Sequence, residues 1–167
     1  MRSEPEPVLV DQASAAALPA ETDVRDFLAG ERVFISSVMA TLADERAAVA
    51  TAVSELGAEP IWFEAFGGRD ADPEAAYLAE VRSSTIYVGI LGASYGRIHP
   101  SRFSATHEEY REAERRGLRM SVWTVAHENW DGDQERFVQE VQSAIRLCHC
   151  TVRRLRRPRH RRSGPRR

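Results

Sequence analysis

The chain has 167 residues, 43% of them hydrophobic and 29% charged, which is enough for one well-buried core and short for two. No apolar run approaches the roughly 18 residues that cross a bilayer, and the acidic, proline-bearing N-terminus lacks the basic-then-apolar order of a secretory signal, so a cytoplasmic protein without a membrane span is expected. The formal charge of −2 divides sharply, because all 25 acidic residues precede Ile145 whereas ten of the 23 basic residues, every one an arginine, follow it; the acidic body repels phosphate backbones and excludes nucleic-acid binding except through the tail.

In chain order, residues 1–26 are rich in Glu, Pro, Ala and Ser and are expected to form a disordered leader. The folded domain is expected to span 27–144. Glu31 to Ser36 is a short apolar strand, after which Leu42, Val49, Val53 and Leu56 recur at helical spacing up to Gly57. Thr41-Leu42-Ala43-Asp44 has the form of a capping box at that helix start. Pro60 to Phe63 supplies a second strand, Gly67-Gly68 and Asp70 a loop, and Asp72-Pro73 an N-cap with proline at the first helical position. Tyr77, Leu78 and Val81 make the buried face of that helix. Thr85 to Leu91 is almost continuously apolar and β-branched, as a strand covered on both faces should be. A helix from Thr106 to Arg116 closed by Gly117, a fourth strand from Leu118 to Val125 and a helix from Gln134 to Ala144 complete the series.

Strands alternating with helices at this spacing predict an α/β fold, a doubly wound open parallel sheet of flavodoxin-like type with strand order 2-1-3-4. In that order Ser36, Ser37 and the stretch Gly92 to Gly96 meet at the switch point, where such sheets bind ligands. A fifth strand belongs after Ala144, but residues 145–167 are an Arg-rich mixture with His, Pro and Cys, so that strand is expected to be missing or altered. Two readings fit the tail: a basic arm for nucleic acid or an anionic membrane, or out-of-frame translation of GC-rich DNA. Cys148, His149 and Cys150 match no usual zinc spacing, and no metal is expected.

Several pieces together resemble a known family. Val33-Phe34-Ile35-Ser36-Ser37, the Asp44-Glu45-Arg46 helix start, Leu56-Gly57, Ile86 to Gly92 with Tyr95-Gly96, and Ser104 to Tyr110 followed by Ala113 and Gly117 resemble domain of unknown function 4062 over about Glu31 to Ala144. That family looks like a relative of TIR and nucleoside deoxyribosyltransferase domains and usually stands in front of NACHT or other STAND-type signalling ATPases. The resemblance implies a sensor or effector module of signalling or antiviral defence. It implies self-association or a partner protein or ATPase module, and NAD or a nucleotide as ligand or substrate with no separate cofactor. Val38, Thr85 and His107 depart from the family's commoner threonine, aspartate and glutamate.

The same resemblance gives Glu109 a catalytic role, since breaking an N-glycosidic bond leaves positive charge on the sugar that a fixed carboxylate stabilises or captures. The residues alone allow a second role: Thr106-x-x-Glu109 is a capping box. Ser36 and Ser37 offer hydroxyls to a nucleotide or cap their loop, and Gly92 and Gly96 allow close ligand approach or supply unusual dihedrals. Tyr95 stacks on a base or is buried against the sheet edge. Arg97 and His99 meet a phosphate or are solvated, and His107 is expected at the surface. Three functions therefore follow: an N-glycosidase acting through Glu109, a non-catalytic protein–protein assembly module, or a nucleotide sensor without turnover.

Overall fold

A computed structural model describes residues 21–62, 73–125, 127, 129–145 and 151–155. Five parallel strands, β1 (Arg32–Ser37), β2 (Glu59–Ile61), β3 (Ile86–Leu91), β4 (Arg119–Val125) and β5 (Thr151–Leu155), form one sheet in the order β2-β1-β3-β4-β5. The helices are α1 (Glu21–Leu28), α2 (Ala43–Glu55), α3 (Pro73–Ser83), α4 (Ala105–Arg116) and α5 (Gly132–Ile145). The doubly wound architecture and the expected order of the first four strands are as the sequence predicts. Among the described residues no helix is long and apolar enough to cross a membrane.

Strand alternation splits the core into two layers. Phe34, Tyr87, Leu91 and Val122 pack with Val81 of α3, Tyr110 and Ala113 of α4, and Phe137 and Val141 of α5 on one face. Val33, Ile35, Ile86 and Ile90 pack with Leu42, Ala50 and Val53 on the α2 face. β3 pairs with β1 on one side and β4 on the other and is buried on both faces, as its unbroken apolar run requires. The first crossover returns to β2, whereas the later ones run toward β4 and β5, so the loops after β1 and β3 diverge at the carboxyl end of the sheet.

Three expectations are corrected. Helix α1 begins at Glu21, inside the stretch read as a leader, because Leu28 packs against the α2-side core. The fifth strand is not missing: Thr151–Leu155 pairs in parallel with β4 from Ser121 to Val125, its residues supplying Thr, Val and Leu among the arginines. The capping box at Thr41 does not form. Leu42 itself is the N-cap of α2, without a side-chain cap, because its side chain is buried over Gly92, where a Cβ would come within 3.2 Å of it. The expected Gly67-Gly68 loop, Asp72 cap, Cys148 and Cys150 lie outside the described residues.

Candidate functional site

A cavity of about 410 Å³ opens at the carboxyl ends of β1 and β3. Its wall is built from the ends of both strands, the loops that follow them, and the first turn and a half of α4, with Ser37, Arg46, Tyr95, Gly96, Thr106 and Glu109 among the lining residues. The period-2 alternation of β1 sends its two terminal serines to opposite helices. Ser36 points to the Phe34 side, where its hydroxyl donates to Oε2 of Glu109 on α4. Ser37 points to the Ile35 side, where its Oγ accepts from Nη1 of Arg46 on α2 at 2.7 Å.

Glu109 is only 9% exposed. Burial raises the pKa of its carboxyl to about 8; the bond from Ser36 and the positive charge of Arg46 oppose this, and the neighbouring Glu108 adds to it. The carboxyl is therefore a neutral acid at pH 7, and ionises when a cation or a higher pH favours the anion. Glu109 does not cap its helix. The N-cap of α4 is Ser104, whose side chain accepts from the N–H of His107, and the capping box read at Thr106 is thereby corrected. Ser104→Ala is expected to lose about 1 kcal/mol in chemical denaturation, with Thr106→Val closer to neutral. Equal losses, or a larger loss at Thr106, would restore the original cap.

The structure brings Ser37, Tyr95, Gly96 and Glu109 to one cavity, with Ser36 directly behind Glu109. Gly92 does not join them. It faces Leu42, and its carbonyl accepts from Nε2 of the buried Gln134 at 2.8 Å, so its missing side chain makes room for packing. Gly96 has φ 84°, the left-handed region that glycine adopts without strain. Tyr95 is buried rather than presented for stacking, and its hydroxyl lies 2.7 Å from Nδ1 of His107.

His107 is the clearest departure from its expected place at the surface. It stacks on Phe137 with ring centroids 4.1 Å apart, and its Nε2 lies 3.1 Å from Oε2 of Glu140. Desolvation lowers its pKa despite the pull of that carboxylate. Position 107 follows the N-cap by three, on the face where α4 meets α5, and a sequence window over α4 alone carries no sign of that partner. Among the described residues no group of three or more His, Cys, Asp or Glu has metal-holding geometry.

The sequence model of a family described as Domain of unknown function (DUF4062) matches residues 32–157. The chain belongs to that family. No curated protein matches it. The match begins with the first residue of β1 and continues past Ala144 to beyond β5, so the DUF4062 domain reaches further than the boundary expected at 144.

The site residue that sequence reasoning missed in this DUF4062 domain is Arg46. In the sequence it reads only as part of a helix start, yet it is 2% exposed and donates to Ser37 Oγ, to the Val38 carbonyl at 3.2 Å and to the Met39 carbonyl at 3.0 Å. A signal was available: Arg46 shares the spacing of Leu42, Ala50 and Val53, and an arginine inside an apolar stripe must find acceptors there.

Proposed function

We propose that this DUF4062 domain is a signalling or defence module whose cavity takes NAD or a nucleotide and cleaves its N-glycosidic bond through Glu109. The observation that carries the reading is the placement of Glu109: buried, free of a capping duty, and at the wall of a nucleoside-sized cavity at the switch point. The resemblance to TIR and deoxyribosyltransferase domains supports the same chemistry. With NAD, the Glu109 carboxylate stabilises or captures C1′ of the ribose as the C1′–N bond breaks. The bonding pair leaves with the nicotinamide nitrogen, cancelling the ring's positive charge; water then supplies a hydroxyl to C1′ and releases a proton. Before that, the cationic ring beside Glu109 favours the carboxylate over the neutral acid.

Ser36 holds the carboxyl oriented, and Ser37 with Arg46 fixes the loop that faces it. Association with a second copy or with a partner ATPase would then regulate access to the site. The test is nicotinamide release from NAD by the full chain, run beside Glu109→Gln after a cooperative melt has established folding. The expected result is a loss of at least about a hundredfold in the variant. For the unsubstituted protein, kcat/KM should climb about tenfold per pH unit and level off near the pKa of about 8. A folded protein that releases no base from NAD or from nucleotides, or a variant as active as its parent, would overturn the reading.

A further inference from the structure

The N-terminal turn of α4 carries features that glycosidic cleavage alone does not use. Ala105 and Thr106 line the cavity and occupy the first two helical positions, whose N–H groups have no acceptor within a helix. Thr106 is 5% exposed, yet among the described residues its hydroxyl has no hydrogen-bond partner. A threonine in a helix ordinarily returns its hydroxyl to a carbonyl four residues back, as Thr51 does to Ala47 at 2.9 Å. The residue lines the cavity, where that hydroxyl is available to a partner from outside the chain.

At the mouth of the same cavity stands Arg97, exposed and, among the described residues, without an ion-pair or hydrogen-bond partner. It lies on the loop between β3 and α4, where Ile98 bridges Ser104 and His99 donates its N–H to the Phe103 carbonyl at 2.9 Å. That short hairpin ties Arg97 to the start of α4. One carboxylate of this turn, Glu108, is held by two other residues of the cavity wall: the Tyr77 hydroxyl donates to it, and His99 Nδ1 lies 3.5 Å away.

We infer that the α4 N-terminus is a phosphate subsite, formed by the Ala105 and Thr106 N–H groups, the Thr106 hydroxyl and Arg97, so that the ligand is a nucleoside 5′-phosphate ester rather than a free nucleoside. The inference rests on the reading of the cavity as the site of Glu109 chemistry and adds to it the residues that hold the phosphate. The geometry suits one sugar. Thr106 and Glu109 are three residues apart, about 4.5 Å along the helix axis and roughly 5–6 Å between Cβ atoms, which is comparable with the reach of a ribose 5-phosphate from C1′ to phosphorus. Helix N-termini favour anions through their unpaired N–H groups and dipole, and a guanidinium adds charge-assisted bonds.

The experiment is calorimetric titration of the full chain, at low salt, with ribose 5-phosphate and with ribose, using Thr106→Val, Arg97→Gln and Glu109→Gln alongside. The unsubstituted protein should bind the phosphate ester at least about tenfold more tightly, the scale of one charge-assisted hydrogen bond. Thr106→Val and Arg97→Gln should each shrink that ratio several-fold, and inorganic phosphate should compete with the ester. Glu109→Gln should leave the preference intact. A preference kept without turnover would defeat the catalytic reading alone, whereas turnover of NAD without a preference would defeat the subsite alone. Equal affinities, no detectable binding of either sugar at millimolar concentration, or unchanged ratios in both variants would overturn the inference.

Discussion

Glu109→Gln is expected to stabilise the protein by roughly 5 kcal/mol at alkaline pH while leaving it nearly unchanged below about pH 4.5. The sign follows from the direction of the shift. The carboxyl has an ordinary pKa of 4.5 in the unfolded chain and about 8 in the fold, so between those values the folded state holds a proton that the unfolded state has lost. Stability is then fully present below pH 4.5 and falls as pH rises through about 8, by about 1.4 kcal/mol for each pH unit. Glutamine keeps the shape and a neutral partner for Ser36 but has no proton to lose. Urea denaturation of both proteins across this range, at constant m-value, checks the prediction.

The difference between the two curves isolates Glu109 from His107, which acts with the opposite sign. The lowered pKa of His107 costs stability as pH falls below 6.5, equally in both proteins. Parallel curves for the two proteins would mean that the carboxyl is ionised in the fold and that water reaches it. The outcome also bears on role. A capping glutamate would lose about 1 kcal/mol on substitution, whereas a buried acid kept for chemistry should give up activity and gain stability together.

The residues explain which parts of this outcome were legible beforehand. β3 was readable because Ile86 to Leu91 is apolar without interruption, and only a central strand of a parallel sheet asks for that. From its position and the alternating helices, the order of four strands and the meeting of Ser37 with Tyr95 and Gly96 at one edge followed, whereas Glu109 is a candidate only through the family resemblance. β5 was not readable. Its five residues pair along β4 through backbone groups, and backbone pairing leaves no hydrophobic period among the arginines. Caps were misread for a related reason, since Thr41 and Thr106 satisfy the capping pattern in one dimension. Which of the neighbouring residues becomes the N-cap depends on what its flanking side chain buries: Leu42 over Gly92, and Thr106 with Glu109 toward the cavity.

Gly92 and His107 mark the same limit from the other side. His107 follows the cavity-lining Thr106 and Gly92 precedes the cavity-lining Ser94 by two residues, so a local motif points both of them to the site. Their partners, Gln134 and Phe137, sit in α5, outside any sequence window that includes them. Tertiary contacts of this kind decide whether a glycine after a strand admits a ligand or a leucine. They also decide whether a histidine in a first helical turn meets water or an aromatic ring.

Arg46→Met is expected to cost about 3 kcal/mol or more and to loosen the wall of the cavity. Methionine retains most of the apolar stem that packs with Leu42, Ala50 and Val53, so the loss comes from the guanidinium. Its removal leaves the Ser37 hydroxyl and the Val38 and Met39 carbonyls without the donor that now joins them, and each polar group left unsatisfied in the interior costs about 1–3 kcal/mol. Arg46→Lys should recover little, because an ammonium cannot spread three donor bonds over that arc as the planar guanidinium does. The substitution reaches Glu109 as well. The positive charge of Arg46 opposes the upward shift of the Glu109 carboxyl, so Arg46→Met should move the midpoint of the pH–activity profile to higher pH, in a direction that a purely mechanical loosening of the loop does not dictate. Denaturation and the pH profile of the same variant separate the two contributions. In the double variant Arg46→Met/Glu109→Gln the electrostatic part has no carboxyl to act on, and the stability cost of Arg46→Met measured in that background should be smaller at alkaline pH than in the parent. An Arg46→Met protein within about 0.5 kcal/mol of its parent, with an unmoved pH profile, would instead show that the loop after β1 holds itself and that Arg46 only fills space.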